Sequence, residues 1–398
     1  MDFDWTEEQL AFRKSVVEFA RGRLDRDVLE REQAGRFPRE LWTEAARFGI
    51  QGLPIPPEHG GSGSDALTTM LAMEALGYGC RDRGLLFSIH AQMWSVEMPI
   101  LAFGSPEQKR RYLPKLCDGT WIGAHAMSEP DSGSDAFSLR TRAERRGERY
   151  VLNGTKTFCT NAPVCDILVA FATVDRAKGV WGVTAFLVDR GSPGLSVGAP
   201  IAKMGLATSP MGTVAFEDCE VPAENRLGTE GQGSVLFQHS MGWERSCILA
   251  TDVGAMERQL EACLAYAKTR EQFGRPIGSF QLVAGRIADM KVRLETARLL
   301  LYRAAWSQAR RGLSGLDAAV AKLHISEAAV QSALDAIQIH GGYGYMKEFE
   351  VERELRDAIG GRLYSGTSEI QRLLVARYLG LAPDGSGAPP PARRASSG

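Results

Sequence analysis

Five polar or glycine-rich segments and one carboxylate carry the residue types that could do chemistry. In AMSEPDSGSD (126–135), small residues let a backbone approach a ligand, and Ser128 and Ser134 offer hydroxyl donors. The same composition also makes a purely structural loop. In KTFCTN (156–161), Phe158 and Thr160 stand two apart, an aromatic and a hydroxyl that share one face of a strand. REQFGRPIGSFQ (270–281) joins Arg270 to Phe273, a glycine turn and Gln281. Its arginine suits a phosphate or an ordinary surface salt bridge. QIHGGYGY (338–345) sets Gln338, Gly341 and Gly342 at a turn after a helix, which a plain C-cap explains in part. RDAIGGRLYSGTSEIQ (356–371) is the fifth segment, with Ser365, Thr367 and Glu369. The carboxylate is Glu244 in SMGWERSCILA (240–250), beside Trp243 in an otherwise apolar stretch that suits a raised pKa. A helix-surface glutamate paired with an arginine is the plainer reading of it.

Three zones must position these residues. From Trp5 to about Cys117 the pattern is helical, with Phe12, Val16, Phe19 and Ala20 at three-to-four spacing and Thr6 as an N-cap. A loop, PIPPEHGGSGSD (54–65), interrupts it. From about 119 to 228 the period changes. CDILVAFATV (165–174) and WGVTAFLVDR (181–190) read as paired strands around a polar connector. RAERRGERYVLNG (142–154) contains another turn, and GTVAFEDCEVP (212–222) another strand. From about 229 to 382 the chain returns to helix, with Ile287, Met290, Leu294, Ala297, Leu301 and Ala304 forming an apolar stripe for core packing. Segment 240–250 is expected to start one helix of this zone. The division is therefore 1–118 helical, 119–228 β, 229–382 helical, and 383–398 a Pro/Gly/Ser-rich disordered tail. Helices, a sheet, then helices make an α+β protein with clefts between domains for a large ligand.

Composition removes several classes. In 398 residues, 47 basic and 48 acidic side chains give a net charge of −1, which offers no pull towards nucleic acid or anionic membrane. No apolar run reaches a bilayer-spanning length, and the acidic N-terminus does not read as a targeting peptide. Seven scattered cysteines without CxxC indicate reduced thiols in a cytoplasm, with no disulfide framework and no metal site. There is no HxxxH pair, P-loop, GxSxG elbow or complete GxGxxG.

Each segment alone is a weak signal. In this order and spacing the five resemble the acyl-CoA dehydrogenase family of flavoproteins, over about residues 3 to 382. The resemblance implies a helical domain, a β-domain and a C-terminal four-helix-bundle domain, with FAD between the last two and a homotetramer built from dimers. It implies Met127 and Ser128 along the flavin, Ser134 near the pyrophosphate, and Thr160 donating near flavin N5. Phe158 takes the usual tryptophan's place, keeping the stacking surface and losing the indole donor. Arg270, Phe273, Gln281, Gln338, Gly341 and Gly342 are implied to hold the neighbouring subunit's FAD, and Thr367 and Glu369 to lie near their own.

The implied reaction removes an α-proton and a β-hydride from an acyl thioester, with a carboxylate as base and the flavin as hydride acceptor. Many members carry that base just before the Gly-Thr of the fifth segment, where this chain has Ser365. Glu244 matches the base position of the isovaleryl-CoA and long-chain members. Arg245 matches a buried family arginine, and the Ser365 N–H remains available to polarise the thioester carbonyl. NRLGTEGQGSVLFQHSMGWER (225–245) resembles dehydrogenases of carrier-protein-tethered acyl groups, prolyl-carrier-protein dehydrogenases among them. A short or branched acyl-CoA is the rival substrate. Flavin oxidases and monooxygenases share the fold, and a non-catalytic descendant is the remaining alternative. An electron-transfer flavoprotein is the expected electron acceptor.

Overall fold

A computed structural model describes residues 4–312 and 314–381, so the expected tail at 383–398 lies outside the described residues. The chain begins with helices α1 (Glu7–Phe19), α2 (Val28–Ala34), α3 (Arg39–Arg47), α4 (Ala66–Gly79), α5 (Arg83–Gln92), α6 (Met98–Phe103) and α7 (Pro106–Cys117). Thr6 caps α1 as expected: its hydroxyl accepts from the Gln9 N–H at 3.2 Å, and the Gln9 side chain returns to the Thr6 N–H at 3.1 Å. A π-helical turn, Met93–Glu97, joins α5 to α6 without a break in the rod.

Strands β1 (Gly123–Ala126), β2 (Arg142–Arg146), β3 (Arg149–Thr160), β4 (Ile167–Thr173), β5 (Val183–Asp189), β6 (Leu195–Val197), β7 (Met211–Pro222) and β8 (Arg226–Leu227) form one sheet. Its order is β6-β7-β3-β2-β4-β5-β8, with β1 parallel to β4. The expected β4–β5 pair is antiparallel, Ile167 opposite Asp189 through Thr173 opposite Val183. Every residue of β4 is buried, because alternate side chains enter two cores. Ile167, Val169 and Phe171 join the core shared with the helices, while Leu168, Ala170 and Ala172 join a second core on the other face.

The last part holds α8 (Gly233–Cys247), α9 (Ala250–Thr269), a small hairpin of β9 (Glu271–Gln272) and β10 (Arg275–Pro276), α10 (Gln281–Arg311), α11 (Gly315–His340), α12 (Gly342–Tyr345), α13 (Val351–Gly360) and α14 (Ser368–Tyr378). Segment 240–250 covers the second half of α8 and reaches α9 only at Ala250, so it does not start the helix that carries Glu244, correcting the reading from the sequence. The helix starts at Gly233, where a Cβ would meet the β5 backbone at 2.8 Å, so a larger residue could not bring this turn onto the sheet. Two glycines also let α4 and α9 cross in close contact: a Cβ on Gly77 would meet the Thr251 carbonyl, and one on Gly254 that of Glu74, each at 2.0 Å. That crossing ties the first helical part to the last. Among the described residues, no helix is long and apolar enough to cross a membrane, and no His/Cys/Asp/Glu group suits a metal ion. All seven cysteines are free and buried.

Candidate active site

Glu244 stands in the last turn of α8, 8 % exposed. Its two carboxylate oxygens meet two hydroxyls from distant parts of the chain. Ser95, on the π-helical turn, donates to Oε1, and Ser365 donates to Oε2. The neighbouring residues repeat the pairing, with the Trp94 and Trp243 rings stacked at 5.7 Å and an interplanar angle of 2°. Trp94 is held from behind by its Nε1–H bond to His90 Nδ1 at 2.7 Å. The π-helical turn and α8 thus face each other through one polar and one aromatic contact. Burial pushes the Glu244 carboxyl up to about 7; the Ser365 hydrogen bond and the charges of Arg245 and Lys322 pull the other way. A carboxyl poised near neutrality suits a general base.

Ser365 has φ +55° and Gly366 φ +88°, so the turn before α14 runs through left-handed backbone. For a serine this costs roughly 1 kcal/mol. Three side chains from three helices hold it. Arg245 Nε donates to the Ser365 carbonyl at 3.1 Å, and Lys322 Nζ from α11 donates to the Gly366 carbonyl at 2.7 Å. Gln371 Nε2 from α14 reaches both, at 3.1 and 2.9 Å. With the carbonyls occupied on that side, the Ser365 hydroxyl is presented to Glu244. Thr367 caps α14, accepting the Ile370 N–H at 3.3 Å, and Glu369 is exposed in the first turn.

Loop 126–135 is fastened to β3 by a buried ion pair. Lys156 Nζ lies 2.8 Å from Glu129 Oε1 and 3.0 Å from the Met127 carbonyl. The Ser128 carbonyl accepts the Thr157 N–H at 2.9 Å, and Ser134 is exposed. β3 bulges here, since Lys156 pairs with Val214 but Cys159 with Gly212. Phe158 sits in the bulge with φ +55° and is 64 % exposed, while Cys159 is buried and Thr160 partly exposed. Phe158 and Thr160 therefore flank a buried residue as alternation requires, but the strand is not regular.

Another group gathers at one end of the bundle. Arg270 ends α9 and lies over the Tyr343 ring at 5.5 Å. Phe273, at the tip of the β9–β10 hairpin, has φ +52° and is 94 % exposed. Gln281 begins α10, and Gln338, Gly341 and Gly342 mark the end of α11, all exposed.

The acyl-CoA dehydrogenase N-terminal, middle and C-terminal domain families match residues 6–120, 124–219 and 231–380. The chain belongs to the acyl-CoA dehydrogenase family. Such enzymes are oxidoreductases acting on CH–CH bonds, and this chain is one of them. It is 45 % identical over 96 % of its length to the whole of an L-prolyl-[peptidyl-carrier protein] dehydrogenase from Pseudomonas fluorescens. The prolyl acyl carrier protein oxidase AnaB has 49 % identity and a TM-score of 0.94, over 95 % of this chain and all of its own. PigA, solved with FAD and proline, has 43 % identity and a TM-score of 0.94, over 96 % of this chain and all of its own.

In this acyl-CoA dehydrogenase, several site residues had no mark in the sequence. Ser95 is 149 residues from its partner Glu244, and nothing local distinguishes it. Gln371 likewise acts only through the turn it meets. Lys322 had a signal: it is a lone cation in the apolar run DAAVAKLHIS, and it is fully buried.

Proposed function

We propose that this enzyme dehydrogenates an acyl thioester tethered to a carrier protein, a prolyl group in a biosynthetic pathway, with Glu244 removing the α-proton. The observation that carries the reading is the enclosed Glu244 carboxyl, held by two hydroxyls and raised by burial to about 7. The prolyl-carrier-protein relatives support the choice of substrate.

FAD is the cofactor, and the surface around the β3 bulge fits it. An exposed Phe158 held in strained backbone offers a stacking face beside the partly exposed Ser128 and Thr160. When bound, FAD supplies the acceptor for the β-hydrogen. Met127, Ser128, Ser134, Phe158, Thr160, Thr367 and Glu369 would hold it within the subunit. Arg270, Phe273, Gln281, Gln338, Gly341 and Gly342 would reach the FAD of a neighbouring subunit in a homotetramer, which accounts for so exposed a phenylalanine at a hairpin tip. Glu244 accepts the α-proton beside the stacked rings of Trp94 and Trp243. The Ser365 N–H polarises the thioester carbonyl as charge develops on its oxygen, and Arg245 holds that turn. The functional units are 1–118, 119–228 and 229–382, and the enzyme works in the cytoplasm with an electron-transfer flavoprotein as acceptor. A carrier-protein oxidase among the solved relatives favours oxygen as the second reading of the acceptor, read by oxygen consumption during turnover.

The test is anaerobic bleaching of the bound flavin. Prolyl on a carrier protein, prolyl on CoA and a short branched acyl-CoA are offered in turn. The proposal expects bleaching by the carrier-bound form. Bleaching by the branched acyl-CoA alone would replace it with a catabolic-type dehydrogenase.

A further inference from the structure

A carboxylate presents about four lone-pair sites. Glu244 receives one hydroxyl on each oxygen, which leaves acceptor capacity on each for a substrate proton. The two donors come from irregular backbone. Ser95 belongs to a π-helical turn, a local widening that concentrates at functional positions. Ser365 belongs to a left-handed turn braced by Arg245, Lys322 and Gln371. Each departure from regular backbone is maintained by its surroundings, and each delivers a hydroxyl to the same carboxylate. The Trp94–Trp243 stack fixes the spacing between the two helical segments at the adjacent residues.

We propose that Ser95 and Ser365 are a two-hydroxyl clamp, positioning residues that aim the Glu244 carboxylate at the substrate and stabilise its ionised form. The inference rests on the reading of Glu244 as base and deepens it. Hydroxyls that donate to a carboxylate favour the charged form, because they bind the neutral acid more weakly. The clamp thus opposes the effect of burial and keeps the base ionised near neutral pH. The other groups around Glu244 are the cations Arg245 on α8 and Lys322 on α11, and the buried phenol Tyr364 beside Ser365. Glu97, on the same π-helical turn as Ser95, is engaged instead by Gln92 at 2.8 Å. Neither hydroxyl has a charge of its own, so removing one leaves the charge pattern intact.

The experiment is the pH profile of anaerobic flavin reduction by prolyl-loaded carrier protein, using the FAD-bound enzyme. Ser95→Ala and Ser365→Ala should each move the acid limb of the profile up by about one pH unit, the worth of a hydrogen bond to a charged group. Below the limb this is about a tenfold loss of rate, recovered at higher pH. Ser95→Thr, which keeps the hydroxyl, should hold the limb in place. Ser365→Gly relieves the left-handed backbone yet lacks the hydroxyl, so it should shift like Ser365→Ala and serves if the alanine variant folds poorly. A merely structural role would scale the rate at every pH without moving the limb, and that result overturns the clamp. Glu244→Gln separates the two readings. If it is inactive while the serine variants keep the wild-type limb, the base stands and the clamp fails. If it reduces flavin at full rate, the base reading itself fails.

Discussion

Glu244 and Glu354 are two enclosed glutamates with opposite fates. Glu354, on α13, has a side chain 13 % exposed, comparable to the 8 % of Glu244. Burial pushes both carboxyls up. At Glu354 the guanidinium groups of Arg258, Arg83 and Arg353 overcome that push and bring it down to about 2, with Arg258 Nη2 only 2.8 Å from Oε1. At Glu244 the direct partners are hydroxyls, and the carboxyl stays up at about 7. Charged partners outweigh burial at Glu354, and hydroxyl partners do not outweigh it at Glu244. Glu354 instead joins α5, α9 and α13 through Arg83 and Arg258, a clasp between the first and last helical parts.

Substituting each glutamate separates the two roles. The largest effect is expected from Glu244→Gln: a loss of roughly 100- to 10,000-fold in substrate-driven flavin reduction, with FAD retained, read by stopped-flow absorbance. Glu354→Gln should do the reverse. It leaves buried arginines short of a counter-charge and should cost about 3 kcal/mol of stability in denaturant unfolding, while the folded enzyme keeps its reduction rate.

The pH dependences should also run in opposite directions. The Glu354 carboxyl is lowered on folding, so its stabilisation is present above its unfolded pKa of about 4.5 and fades as pH falls through about 2. The Glu244 carboxyl is raised, so its contribution is present below about 4.5 and is lost as pH rises through about 7. Glu244→Gln should therefore be more stable than wild type at pH 8, by on the order of 2 kcal/mol, and the gap should close towards pH 5. Equal stability at both pH values would contradict this cost of function. The smallest effect is expected from Phe158→Gly, which relieves left-handed backbone worth about 1 kcal/mol; it should raise the stability of the FAD-free protein while weakening FAD retention.

The contrast between the two glutamates also shows what a sequence reveals. Local patterns were legible: the Thr6 cap, the β4–β5 pair and the turn after Arg146 each depend on a few adjacent residues. Glu244 stood out because it lies in a largely apolar stretch and because the sequence resemblance puts it at a family base position. Glu354 lies in VERELRDA, a charge run that looks like a solvated helix face, and its burial follows from helices far away in sequence. Ser95 was invisible for the same reason, and a π-helical turn has no compositional mark. The start of α8 lies earlier than the sequence reads, at Gly233, a weak helix former that fits where a Cβ would meet the β5 backbone. Glycine there answers a tertiary contact, not a local preference.

The most direct test of the account is the protonation midpoint of Glu244 itself. It can be followed by infrared difference spectroscopy of the FAD-bound enzyme between pH 5 and pH 9, with Glu244→Gln as the subtraction. The account predicts a protonated-carboxyl band, absent from the variant, that disappears as pH rises through about 7. A carboxyl already ionised at pH 5 would mean that burial does not raise it, and would contradict the assignment of Glu244 as a poised base.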